Sequence, residues 1–333
     1  MLSRREFARA LLGSAVMGTG ALAIGSLSAC GRSVASSTSM TVQLSWVKDV
    51  SFAGTYIAVN KGYFDHAGVQ VALRAGGPNV VVPTVVAAGT ALVGMASTDV
   101  TAASRLGGSG LRIIGARFQR NPFCIVSLPK TPLHSPGDLA GRRIGVSPTN
   151  TLAFQSFLAV NGLSQGFVTQ VPVQFDVTPL TSGEVDGLLG YYTSQPILLQ
   201  SQGVTPVIML LADHGYSLFE NVYIVTEKAL DAHRAEIVGF MRGERQGWQD
   251  NLADPALGVD LTMTKFGGKD AGLDATAQKQ ENDSQNKLIR PQGGTPLLGM
   301  SDSDIAANLA FLRDRLHIAV DDKLFDTSVL KAL

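Results

Sequence analysis

The sequence predicts an α/β protein of two lobes with a helical C-terminal section. Three observations carry that expectation. From residue 41 onward, strand-like apolar runs alternate with helix-like runs at the spacing of βαβ units. The chain has 333 residues, more than the roughly 250–300 at which a single hydrophobic core stops growing. Beyond residue 226 strands cease and helical stretches follow, so two crossings, near residues 126 and 223, are expected to join the lobes as a hinge. Lobe 1 is expected from residues 41–125 and 224–333, and lobe 2 from residues 126–223.

The first unit reads as a strand over 41–46, a helix over 54–61 and a strand over 69–74 with alternating apolar residues. Gly54 stands at the helix start, which would turn the amides of residues 53–55 outward just past the first strand, where open α/β sheets place ligands. A crevice is therefore expected beside Trp46, Asp49 and Phe52. Gly76, Gly77 and Pro78 break the chain, and Asn79 is expected to cap a helix over 79–88. A buried strand over 92–96 ends in Ser97, Thr98 and Asp99, cap-type residues for a helix running to 106, followed by a strand over 111–117.

The run 123–128 is expected to leave the first lobe. A turn and strand over 135–146 lead to Ser147, Thr149, Asn150 and Thr151, which would cap a helix ending at 160. Strands over 171–175, 185–190 and 205–211 and a helix over 196–202 complete the second lobe; the run 221–226 returns. Helices over 227–251, 255–266, 271–286 and 301–315 would pack on the first lobe.

The N-terminus carries its own signals. Arg4 and Arg5 form a twin-arginine pattern, followed by an apolar segment over 10–27 interrupted by four glycines. That segment approaches the ~20 residues of a transmembrane helix, but it is glycine-rich and ends in a lipoprotein-type box at Cys30. Residues 1–29 are accordingly expected to be a signal peptide, Cys30 a lipid anchor, and the small, polar remainder of 30–40 a tether. The protein would be exported and held on the outer face of the cytoplasmic membrane. Two acyl chains hold where one would not.

Charge excludes some partners. The chain holds 27 basic and 27 acidic residues, and loss of Arg4, Arg5 and Arg9 against Glu6 leaves the remainder slightly acidic. No basic field exists to attract nucleic acid. Five histidines and two cysteines are scattered without metal-ligand spacing, so no metal and no disulfide is expected; Cys124 reads as packing.

The stretch 46–71 follows W-x-x-x-x-x-F-A-G-x-Y-x-A-x-x-x-G-Y-F-x-x-A-G-V-x-V. It resembles the opening of the solute-binding proteins of bacterial ABC importers, in the branch that carries thiamine pyrimidine precursors, riboflavin, sulfonates and nitrate. The run G-T-A-L-V-G at 89–94 and D-L-A-G-R-R-I-G-V at 138–146 match further motifs of that family. The resemblance implies a type II periplasmic-binding-protein fold, a small-molecule ligand between the lobes, an ABC permease as partner, no cofactor, and a monomer. It extends to a thiamine-pyrimidine synthase, whose cysteine-rich motif this sequence lacks. No enzyme activity is expected.

Candidate ligand residues are those that end each strand: Trp46, Asp49, Phe52, Ser97, Thr98, Thr149, Asn150, Thr151, Tyr191, Tyr192, Gln195 and Asp213. Ser97, Thr98 and the 147–151 group serve as caps in any case, and Asp213 is also a turn residue. Adjacent residues on an extended segment point to opposite sides, so one of Tyr191 and Tyr192 would stack on a ring together with Trp46. Where the pyrimidine-binding branch commonly carries a glutamate, this chain has Gln195, a neutral donor and acceptor that suits the imide edge of a flavin or a uracil-like ring. No Arg or Lys cluster lies on these turns, which favours a planar heteroaromatic ligand over a sulfonate or nitrate-type anion. A sensor for a membrane receptor is the other open reading.

Overall fold

The computed structural model describes residues 38–333 except Phe175 and residues 291–293. The predicted signal peptide, Cys30 and all but the end of the tether lie outside them, as does Phe175 at the end of the predicted 171–175 strand. The chain builds β1 (Thr38–Gln43), β2 (Val69–Arg74), β3 (Val93–Ala96) and β4 (Leu111–Phe118), then leaves for a second sheet. That sheet contains β5 (Phe123–Ser127), β6 (Arg143–Val146), β7 (Thr169–Pro172), β8 (Gly187–Tyr191) and β9 (Val207–Leu210). The chain returns as β10 (Glu220–Thr226).

Both sheets are five-stranded, ordered β2-β1-β3-β10-β4 and β7-β6-β8-β5-β9. β1 pairs in parallel with β2 and β3, whereas β10 runs antiparallel between β3 and β4. The second sheet repeats the plan: β6 is parallel to β7 and β8, and β5 runs antiparallel between β8 and β9. Of the strands that flank the crossings, β10 and β5 are thus held on both sides, whereas β4 and β9 are edge strands.

The crossings fall at residues 119–122 and 215–219, several residues before the expected 126 and 223. β5 lies wholly in the second sheet and β10 wholly in the first. Both strands are apolar on both faces, so periodicity marks them as buried strands without saying which sheet they join.

Helices α1 (Ala53–Asn60), α2 (Tyr63–His66), α3 (Val82–Ala87) and α4 (Thr98–Leu106) connect the first sheet. α5 (Thr151–Val160), α6 (Thr178–Thr181) and α7 (Gln195–Ser201) connect the second. The C-terminal section is α8 (Glu227–Ala232), α9 (Arg234–Ala253), α10 (Pro255–Thr264), α11 (Ala275–Ile289) and α12 (Asp302–Asp314). The long helix expected over 227–251 is broken at His233, and α3 starts after Asn79 with Pro83 in its first turn rather than with an Asn79 cap.

One core lies under the first sheet, with Phe52, Tyr56, Phe64, Tyr223, Phe240 and Trp248. A second runs continuously through the crossings, joining Ile113 and Val222 of the first sheet to Phe123, Phe154 and Phe157 of the second. α12 belongs to this second core: Phe311 meets Tyr216 edge-on at 5.8 Å, and Asn308 Oδ1 accepts from the Phe219 amide at 2.8 Å. The last helix therefore braces the return crossing. Cys124 is a buried free thiol in β5.

Candidate functional site

The first strand's end, the break at Gly76 and the two crossings together shape a cleft. Gly76 donates to Trp46 O at 2.8 Å, and any Cβ there would collide with the backbone of Ser45. Glycine at this position lets the loop close over the strand end and fix Trp46. The cleft has a volume of about 380 Å³, within the range usual for small-molecule sites, roughly 300–1,000 Å³. One wall comes from Trp46, Asp49, Ser97, Arg117 and Glu220, the other from Thr149, Asn150, Thr151, Tyr191, Ser194 and Gln195.

Eight of the twelve predicted residues line this space: Trp46, Asp49, Ser97, Thr149, Asn150, Thr151, Tyr191 and Gln195. The other four do not. Phe52 is fully buried beneath the cleft, its ring 5.5 Å from the Arg117 guanidinium, because the short 3-10 turn Val50–Phe52 rolls it into the core. Thr98 is the first residue of α4, and its hydroxyl donates to Phe219 O at 2.8 Å in the interior. Tyr192 turns outward, and its amide donates to Pro122 O at 2.8 Å. Asp213 pairs with Arg120 at the surface.

The amides of residues 53–55 also fail to reach the cleft. Ala53, Gly54 and Thr55 are buried, and α1 packs so closely on α9 that a Cβ on Gly54 would lie inside the Trp248 indole. Gly54 is a packing glycine, not an anion cradle.

Glu220, absent from the predicted set, organises the back of the cleft. It is 2% exposed; its Oε1 accepts from Tyr191 Oη and Ser97 Oγ, both at 2.8 Å, and its Oε2 has no partner. Burial pushes Glu220 up to about 7, against the hydrogen bond from Tyr191 and with help from nearby Asp99. Next to it Asn221 takes a left-handed φ of 51°, which asparagine tolerates better than most residues, and its Oδ1 accepts from Ser45 Oγ at 2.8 Å. The Tyr191 ring packs on Phe123, with centroids 4.7 Å apart. Tyr191 is therefore a floor residue tying β8 of one lobe to β10 of the other.

Gln195 holds less in reserve than its type suggests. Its Oε1 accepts from the Tyr191 amide at 2.7 Å, which leaves the side-chain NH₂ as the group it can offer. Among the described residues Arg117 places a single cation on the wall from within β4, while the turns carry no Arg or Lys cluster, as expected. Its Nη1 donates to Ser51 O, and it lies 4.7 Å from the Phe118 ring and 5.3 Å from Trp248. Burial lowers the Arg117 pKa, but a guanidinium keeps its proton. Burial also raises Asp49, whose Oδ1 accepts from the Ser51 amide at 2.9 Å. Arg117 shares the cleft lining with three acids, Asp49, Asp176 and Glu220, and Asp49 is the one whose charge acts on it.

A sequence signal existed for the missed residues. Glu220 and Asn221 interrupt an apolar run from Leu218 to Val225, and Arg117 interrupts the run of β4. A charge inside a buried strand needs a reason, and here it is the cleft.

Comparison with known proteins places this geometry. Residues 49–257 match the family described as NMT1/THI5 like. The chain is 30% identical over 231 residues to the riboflavin-binding protein RibY of Chloroflexus aurantiacus, covering 67% of this chain and 65% of that one, just under two thirds of the relative's length. It is 25% identical over 240 residues to a 4-amino-5-hydroxymethyl-2-methylpyrimidine phosphate synthase of Schizosaccharomyces pombe, covering 66% of this chain and 67% of that one. Among solved structures it is similar to the alkanesulfonate-binding protein SsuA of Xanthomonas axonopodis pv. citri, with a TM-score of 0.64, 17% identity, and coverage of 89% of this chain and 97% of that one. At that identity the likeness speaks for the fold, the two-lobed α/β fold of type II periplasmic binding proteins. Since the family match extends over more than half of its residues, this chain belongs to the NMT1/THI5-like family.

Proposed function

We propose that the protein is the extracytoplasmic solute-binding component of an ABC importer and that it captures a small planar heteroaromatic molecule between its lobes. The observation that carries this reading is the cleft itself. Aromatic and aliphatic groups, Trp46, Val81, Phe118 and Leu189, alternate in its walls with a few buried polar ones, and two crossings connect the lobes. Closure about the crossings would exclude water from the ligand, and the closed form would be the one presented to a permease. The riboflavin-binding relative supports a flat ring as cargo.

The synthase-named relative raises an enzyme reading, which the chain's own residues do not favour: Cys124 is buried, with its thiol pushed up by burial, and cannot supply a thiolate. Arg117 keeps an anionic ligand in view, but it is bound to Ser51 and the same lining carries three acids, so a bare sulfonate or nitrate is the weaker candidate.

Native mass spectrometry of the full-length protein with riboflavin, formyl-aminopyrimidine, thiamine, taurine and nitrate tests the reading. A ring retained or added, with tryptophan quenching, supports it; binding of the small anions alone overturns it. Trp46→Ala should weaken ring binding about tenfold, since aromatic contacts of this type are worth roughly 0.5–1.5 kcal/mol beyond area. Affinity within twofold of wild type would remove Trp46 from the stacking role. We also propose that Cys30 carries the lipid anchor; Cys30→Ser should move the protein from the membrane pellet to the soluble fraction, and membrane retention of the variant would refute the anchor.

A further inference from the structure

We propose that Glu220 selects the ligand, its free carboxylate oxygen accepting a hydrogen bond from a ring N–H that stands next to an acceptor on the same ring edge. This rests on the reading of the cleft as a site for a flat heterocycle and adds the edge by which the ring is read. Glu220 Oε1 is already occupied by the hydroxyls of Tyr191 and Ser97, whereas Oε2 is buried in the cleft wall without a donor. A buried acceptor left unpaired is costly, and a ligand N–H would remove that cost.

The opposite lobe holds a second group in the same condition. Ser194, 9% exposed, lines the cleft three residues after Tyr191, and its Oγ is buried without a partner. A hydroxyl can donate to a carbonyl or ring nitrogen, so an acceptor on one lobe and a donor on the other match a ring edge with N–H beside C=O or N. Imides such as the flavin edge and aminopyrimidines share that pattern. A sulfonate group and nitrate present acceptors alone, and the carboxylate rejects them.

Glu220 also explains why lobe closure and recognition would be coupled. Its Oε1 holds Tyr191 of the second sheet while its Oε2 would hold the ligand, so one carboxyl meets both the far lobe and the ring.

The test compares, on the full-length protein at pH 8, where Glu220 is ionised, riboflavin with riboflavin methylated on its imide nitrogen, and formyl-aminopyrimidine with its N,N-dimethylated form. Wild type should prefer the N–H member of whichever pair it binds by roughly 10- to 100-fold, the range for a hydrogen bond to a charged group. In Glu220→Gln the side-chain amide can turn an N–H toward the ring, and the preference between the two members of a pair should shrink to within about threefold. Ser194→Ala should weaken both members of a pair equally. A wild-type protein that binds the ring but does not distinguish the members overturns the role of Glu220 and leaves the cargo class standing, as does a Glu220→Gln variant that keeps the full preference. A wild-type protein that binds no ring overturns the functional reading as well. The wild-type comparison needs no variant to fold.

Discussion

Raising the pH from about 5 to 8 is expected to destabilise the folded protein by roughly 3 kcal/mol through Glu220 alone. Glu220 has an ordinary value of 4.5 and is raised to about 7 by burial, so between those values the native state binds a proton that the unfolded chain has released. Where the native state holds more protons, stability falls as pH rises, and above about 7 the loss is complete. Asp49, Asp99, Glu244 and Glu281 are likewise raised by burial and add to the slope with the same sign. Exposed acids held low by partners, such as Asp186 beside Arg143 and Asp321 beside Arg105, gain their stabilising effect at lower pH and leave this window unaffected. Urea melts at pH 5, 6, 7 and 8 provide the measurement. Glu220→Gln, which keeps shape but cannot ionise, should be flatter than wild type by about the amount given for Glu220. Stability of the wild type that rises with pH across this window would contradict the burial of these carboxyls.

Strand and helix order was legible because it rests on local pattern. The βαβ opening, the buried strand β3 and the helical tail follow from periodicity, which acts within a few positions, whereas the expected caps Ser97, Ser147 and Asn150 make no side-chain cap bond and a 3-10 turn precedes α5. Pairing was not local. β5 and β10 read as buried strands, but their sheet is decided by crossings that pack Phe123, Tyr216 and Phe219 against α12, more than eighty residues away in the chain. The site divides in the same way. Residues that end strands and face across the cleft, Trp46, Ser97, Thr149 and Tyr191, sit where strand ends must converge. Those displaced, Phe52 and Thr98, were moved by a single turn of 3-10 helix or by a place in the first turn of α4 that sends the hydroxyl inward. Arg117 and Glu220, the cation and the acid that the sequence reading missed, lie on β4 and β10, and their meaning appears only when two lobes meet.

Gly247→Ala is expected to destabilise the protein by about 3 kcal/mol or more, although helix propensity alone predicts a gain of about 1 kcal/mol. Gly247 lies inside α9, where alanine is normally the better residue. Its would-be Cβ points at the Gly54 carbonyl of α1, and Gly54 in turn faces the Trp248 indole, so the two backbones touch through a pair of glycines. A methyl there must push α1 and α9 apart. The cost spreads because Trp248 Nε1 donates to Glu244 Oε1 at 3.0 Å, which also accepts from Thr55 Oγ1 at 2.7 Å and Tyr223 Oη at 2.8 Å. Separating the helices would loosen a buried carboxylate from its donors. The effect should also reach the cleft, because Arg117 packs on Trp248 and bonds Ser51 in the turn before α1. Thermal unfolding followed by far-UV circular dichroism decides the sign. A variant more stable than wild type would mean that α1 and α9 do not meet through glycines, and the placement of Asp49 and Ser51 in the cleft would lose its support.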